Sequence, residues 1–168
     1  METPIPKYKR LTPGGQECRL KGAYLIRCTG CVKNEAGEVV EVLCEYDPES
    51  KGGNPADGRK VKGATIHWVD AATAADAEVR LYDYLFTDPA PDAADKNFLD
   101  YLNPDSLQIL TGCKVEQGLA QAAMPEKGKT ATAYQFMRQG YFCVDNKDSK
   151  PGHPVFNRSV SLKDSFKF

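Results

Sequence analysis

The side chains best suited to chemistry in this 168-residue chain are cations and amides, gathered in three short groups. In Tyr8-Lys9-Arg10 an aromatic ring stands beside a planar guanidinium, a pair that can grip an unstacked nucleotide base. Arg19 and Lys21 are two apart in a segment of β formers. On one strand they would share a face, a spacing that suits adjacent phosphates or a base edge. Gln135 and Arg138 bring an amide that both donates and accepts, and a fork of donors. Each group also has a plainer reading: a solvated basic tail, the polar outer face of a sheet, and surface decoration around a core Phe136.

Other chemistries find less support. His67 and Trp68 are neighbours, and a strand would send them to opposite faces. His153 is the only other histidine, so no Ser-His-Asp or metal-ligand cluster emerges and His67 reads as structural. Cys28 and Cys31 form a CxxC pair, but the nearest further thiol, Cys44, stands alone; a structural zinc site needs a second pair or a histidine. The six cysteines therefore read as reduced, small apolar residues within strands. Gly14-Gly15 and Gly52-Gly53 lack the Lys-Ser/Thr continuation of a phosphate loop, so they read as turns. No catalytic, cofactor-binding or metal-binding residue is assigned.

The elements that must position the three groups are mostly strands. Cys18–Cys28, Val39–Tyr46, Val61–Val69, Glu78–Phe86, Leu107–Val115, Ala133–Asp145 and Val155–Leu162 carry β patterns. Asn34–Glu38 is a hairpin turn, and Asp47–Asp57, with its Pro and Gly residues, a long polar loop. Gly140 marks a bulge or kink within the Ala133–Asp145 strand. Asp70–Ala77, Ala93–Leu102 and Gly118–Met124 are expected to be short helices, the second with Phe98, Leu99 and Leu102 on one face. Many short strands separated by Gly/Pro turns argue for an all-β fold of barrels with a few short helices. The expected division is a first barrel over residues 1–62, incomplete at its start, and a second over residues 63–168.

The net charge of −1 hides an uneven distribution: residues 1–33 balance at +5, 34–105 at −10 and 106–168 at +4. If the fold brings the basic ends together, a local positive surface forms despite near neutrality. No apolar run approaches bilayer-spanning length, and Met-Glu-Thr-Pro-Ile-Pro-Lys lacks the apolar core of a secretory signal. A cytoplasmic monomer without membrane association is expected.

Read in order, Tyr8-Lys-Arg-Leu, Glu17-Cys-Arg-Leu, Asp57-Gly-Arg-Lys-Val-Lys-Gly, Ile66-His-Trp-Val, Val79-Arg-Leu-Tyr-Asp, Asn103-Pro-Asp-Ser-Leu, Tyr134-Gln-Phe with Arg138, Gly140-Tyr-Phe-Cys and Val155-Phe-Asn-Arg form a long set. Together they resemble the C-terminal anticodon-binding region of bacterial-type glutaminyl-tRNA synthetases, from about Lys7 to Phe166. The resemblance implies two β-barrels, a fold shared with a ribosomal protein that binds 5S rRNA. It implies that glutamine tRNA is the partner, read through a splayed anticodon. It also implies that ATP and Mg belong to a separate catalytic domain of a parent ligase, with no catalytic site in this region.

By that resemblance Arg10, supported by Lys9, reads the third anticodon base; Arg19 lies at the first base, with Lys21 beside it; Gln135 and Arg138 surround the middle base. Lys21 stands where the family carries arginine, which keeps charge but loses the bidentate fork. Met137 stands where an acidic residue is common, and Lys7 replaces an amide. A further arginine for the middle base, and some strands of the first barrel, are expected upstream of Met1. Three alternatives stay open at this point: a glutamyl-tRNA synthetase of archaeal or eukaryotic type, a ribosomal-type rRNA-binding module, and a small hydrolase using His67 with a carboxylate.

Overall fold

Strand pairing in the computed structural model, which describes residues 8–125 and 128–162, builds two antiparallel-dominated sheets and little else. Lys7 and the stretch from residue 163 to Phe166 lie outside the described residues. The chain divides into two compact units, Met1–Trp68 and Val69–Phe168, each with one sheet. The all-β, barrel-like class expected from the turn spacing is the one observed.

The first unit contains β1 (Cys18–Leu20), β2 (Leu25–Lys33), β3 (Val39–Asp47) and β4 (Thr65–Ile66), in the order β3-β2-β1-β4. The Asn34–Glu38 turn joins β2 to β3 as the sequence dictates, closed by Asn34 N–H on the Glu38 carbonyl at 3.0 Å. The segment Cys18–Cys28, expected as one strand, is instead a tight reversal between β1 and β2. Ala23 N–H donates to the Leu20 carbonyl at 3.0 Å, so the Lys-Gly-Ala triplet turns the chain. β1 also pairs in parallel with β4, Arg19 opposite Thr65 and Leu20 opposite Ile66. The expected Val61–Val69 strand shrinks to these two residues, so strand alternation does not govern His67 and Trp68, and both are exposed.

Cys18, Leu25 and Cys28 are buried in this unit together with Ser50 and Thr12. β3 is an edge strand, and Val40 and Tyr46 on it are 63% and 62% exposed. Val39, Val42 and Leu43 are exposed as well. An edge strand this apolar is an aggregation hazard unless something covers it.

The second unit contains β5 (Ala75–Tyr82), β6 (Leu107–Val115), α1 (Gln117–Ala122), β7 (Ala133–Phe136), β8 (Gly140–Val144) and β9 (Val155–Ser161). Their order is β6-β5-β9-β8-β7, with β5 and β9 parallel and the other pairs antiparallel. The core is Ala77, Val79, Val115, Phe142, Val144 and Phe156, closed by Ala120 and Ala123 from α1 and its end. Alternation along β5 explains this: Ala77 and Val79 point inward while Asp76 is exposed and Glu78 only half-buried.

Three expectations fail here. Asp70–Ala77 is not helical; the Asp70 carboxylate accepts from Ala72 N–H at 3.2 Å and Thr73 Oγ1 at 2.9 Å, making a turn that feeds β5. Ala93–Leu102 holds only a 3₁₀ turn at Phe98–Tyr101, and Phe98, Leu99 and Leu102 are exposed, not buried on one face. The Ala133–Asp145 segment is a β7–β8 hairpin, its break at Met137–Gln139 being a full reversal.

Candidate nucleic-acid interface

Lys9 and Arg10 precede the first sheet, but their backbone is not loose. The Lys9 carbonyl accepts from Ala64 N–H at 2.7 Å and from the Cys18 thiol at 3.3 Å, and the Tyr8 carbonyl accepts from Gln16 Nε2 at 3.2 Å. Both cationic side chains are exposed. The solvated-tail reading therefore fails for residues 8–10: two exposed cations are carried on backbone stitched to β1 and to the residue before β4.

Arg19 sits in β1, half-buried, with its backbone N–H on the Ala64 carbonyl at 3.0 Å. The same Ala64 thus ties Lys9 and Arg19 to one place. Arg19 Nε donates to the Gly53 carbonyl. Lys21 is exposed and lies one residue past β1, in the turn, so the expected strand-face partnership of Arg19 and Lys21 is corrected. The backbone at Lys21 is nevertheless fixed: its N–H donates to the Ile66 carbonyl at 3.0 Å, and its carbonyl accepts from Trp68 Nε1 at 3.1 Å.

Around Glu17, two residues before Arg19, the structure shows a network the sequence did not reveal. Arg59 donates to both carboxylate oxygens of Glu17 at 3.0 Å, to Asp47 at 2.6 Å and to Asp57 at 3.0 Å. The Arg59 guanidinium holds the carboxyls of Glu17 and Asp47 below their usual range, and Asp57 is lowered first by the Arg59 backbone N–H. Arg27 lies 3.5 Å from Glu17 as well. Three carboxylates thus share two guanidinium groups, which leaves one negative charge over.

In the second unit, Tyr134 and Phe136 of β7 pack on the core while Gln135 between them is exposed, as strand alternation requires. Directly across the ladder from Gln135 is Tyr141 of β8, also exposed. Sequence reasoning placed Tyr141 in a motif without giving it a role. The cross-strand register sets an amide and an aromatic ring side by side, a pairing able to hold a base by edge and face.

Arg138 occupies the β7–β8 turn with φ +62°, the only described non-glycine residue with positive φ. Gln139 N–H closes this turn on the Phe136 carbonyl at 2.9 Å. A left-handed arginine costs about 1–2 kcal/mol, and strain of this kind gathers where function holds a side chain in place. Arg138→Gly relieves the steric cost and adds chain entropy, so stability should stay within about 1 kcal/mol. If the hairpin grips RNA as the sequence resemblance implies, RNA affinity should fall all the same, by about 1–3 kcal/mol. Paired denaturation and RNA titration check this; a variant binding as well as the parent removes Arg138 from the interface.

Lys9, Arg10, Arg19 and Lys21 thus gather around β1 and β4 of one unit, and Gln135 and Arg138 around the β7–β8 hairpin of the other. Among the described residues no three His, Cys, Asp or Glu side chains are grouped to hold a metal ion.

Comparison with known proteins shows which family this chain resembles. Two family models, both described as tRNA synthetases class I (E and Q), anti-codon binding domain, match residues 6–47 and 65–145. The chain is 52% identical over 168 residues to the glutamine--tRNA ligase of Pseudomonas syringae pv. tomato, covering 99% of the chain and 28% of that protein. It is 53% identical over 167 residues to that of Ectopseudomonas mendocina, with 98% and 28% covered. For Bradyrhizobium diazoefficiens the identity is 52% over 166 residues, with 99% and 28% covered. The chain therefore spans 28% of the length of these relatives.

Proposed function

Because this chain belongs to the anticodon-binding domains of the class I (E and Q) tRNA synthetases, we propose that it reads the anticodon loop of glutamine tRNA for a glutamine–tRNA ligase. The observation that carries the reading is the placement of Lys9 and Arg19, two cations tied by backbone to Ala64, with the exposed Arg10 next to Lys9 in the chain. Such an arrangement offers fixed donors to base edges and phosphates. Glutamine is favoured over glutamate because the relatives named above are glutamine--tRNA ligases.

In this reading, Arg10 with Lys9 contacts the third anticodon base, Arg19 with Lys21 the first, and Gln135 with Arg138 the middle one. Attachment of glutamine, with its ATP and Mg, belongs to another part of the ligase. The exposed apolar face of β3 supports the same picture, since a neighbouring segment of the ligase would cover it. The ligase acts as a cytoplasmic monomer.

The test is a titration of the chain with the glutamine anticodon stem-loop and its third-base variants. Arg10→Ala should erase a discrimination of about 1–3 kcal/mol between them. Unchanged discrimination removes the role of Arg10. Parallel titrations with the glutamate stem-loop and with 5S rRNA set the partner: tighter binding to either replaces the glutamine reading.

A further inference from the structure

The loop between β3 and β4 is wound tight, although its composition reads as a slack polar connection. Ser50 at its 3₁₀ turn is fully buried; its hydroxyl donates to the Asp47 carbonyl at 2.6 Å and accepts from Leu25 N–H at 2.8 Å. Gly53 N–H closes on the Ser50 carbonyl at 2.8 Å. The loop's two ends are clamped by one side chain, because Arg59 bridges Asp47, Asp57 and, across to the residue before β1, Glu17. Arg59 Nε, Nη1 and Nη2 are all engaged within the protein. It is therefore a brace, not a phosphate contact.

What the braced loop presents is the Gly53 carbonyl, which accepts from Arg19 Nε. The arginine stem lies so close over this glycine that a Cβ at Gly53 would stand 2.9 Å from Arg19 Cδ and Cγ. With Nε held, the plane of the Arg19 guanidinium is fixed, and among the described residues no hydrogen bond from either Nη group is seen, which leaves a preorganised fork of the kind bidentate recognition requires. The residues responsible fall between the two matched stretches, 6–47 and 65–145.

We infer that Arg59, with Ser50, is a positioning residue that presets Arg19 for the first anticodon base. This rests on the anticodon reading given above. It acts through the loop, which delivers the Gly53 carbonyl and is held by Arg59 at Asp47, Asp57 and Glu17.

The experiment is a double-mutant cycle on the whole chain, with Arg19→Ala, Arg59→Gln and both together. It is read by titration of the glutamine stem-loop carrying cognate or altered first bases. Arg19→Ala should weaken cognate binding roughly tenfold. Arg59→Gln should weaken it severalfold, lower first-base discrimination while leaving third-base discrimination intact, and add nothing in the Arg19→Ala background. The Arg19 Nε–Hε resonance, protected from solvent exchange in the parent, should lose that protection in Arg59→Gln, which a general loss of stability would not do selectively. Ser50→Ala should give the same loss of protection in a nearly isosteric change, and replaces Arg59→Gln in the cycle should that variant not fold. If Arg19→Ala binds like the parent, the anticodon role of Arg19 is wrong. If Arg19→Ala weakens binding while the brace variant does not, or does so equally without Arg19, the brace inference is wrong and the reading of Arg19 stands.

Discussion

Gly63→Ala is expected to cost the first unit about 3 kcal/mol or more and to loosen Lys9 and Arg19 at once. A Cβ at Gly63 would lie 2.0 Å from the Glu17 carbonyl oxygen, 2.8 Å from its carbon and 3.0 Å from Cys18 Sγ. Two of these are backbone atoms, so no rotamer change relieves the clash, and overpacking against backbone belongs to the severe tail of single substitutions. The backbone that must move is the one leading into Ala64, whose N–H binds the Lys9 carbonyl at 2.7 Å and whose carbonyl accepts from Arg19 N–H at 3.0 Å. Both proposed base readers lose their anchor together. Denaturant unfolding should show a lower midpoint at unchanged slope, and stem-loop titration should show first-base and third-base discrimination falling in parallel. A parent-like midpoint would mean that the close pass of residue 63 over β1 is not present in solution.

That close pass marks where sequence reasoning stops. The β2–β3 hairpin, β6 and β9 were legible because alternation and turn residues lie next to one another in the chain. The β1–β2 and β7–β8 reversals were not, because Lys21–Ala23 and Met137–Gln139 lack a paired turn signature and each flank continues the same β pattern. Arg138 hides its turn altogether, since the positive φ falls on arginine where glycine or asparagine would have announced it. β4 shrank because the Lys60-Val-Lys62 alternation carries no ladder partner from the described strands, whereas Thr65 and Ile66 meet β1 in parallel. Parallel pairing leaves no local trace in sequence. The helix expected at Ala93–Leu102 failed because Phe98, Leu99 and Leu102 are exposed, leaving the segment no core to bury against.

The site divides along the same line. The proposed readers Lys9, Arg10, Arg19, Gln135 and Arg138 were singled out by side-chain type, and it is the family resemblance that orders them along an anticodon. Arg59 stood in a quoted motif, yet its work depends on Glu17, 42 positions away. Ser50 looked like one more polar loop residue until its complete burial was seen. Tyr141 needed the strand register to place it opposite Gln135. Side chains that touch a ligand advertise their chemistry; those that hold them in place do so through contacts that only the folded chain creates.

Phe156→Ala should cost the second unit about 3–5 kcal/mol, and its functional trace should appear first at the middle base. Phe156 has no exposed surface and lies on β9, between β5 and β8. Its ring meets Phe136 at 5.0 Å and Tyr134 at 6.2 Å, both edge to face, and Phe136 in turn stacks on Phe142 at 4.4 Å. β7 is the outermost strand, held on one side by β8 alone. Its register therefore depends on Tyr134 and Phe136 staying seated, because a slip of one residue would turn Gln135 inward and Phe136 out. Removing the ring they share opens a cavity under β7, while the β5–β6 ladder keeps its own hydrogen bonds. Amide exchange should accelerate in β7 and β8 well before β6, and discrimination at the middle base should fall while third-base discrimination through Arg10 persists. Uniform acceleration across the sheet, or a middle-base preference that survives, would show that Phe156 supports the unit as a whole without specifically seating Gln135.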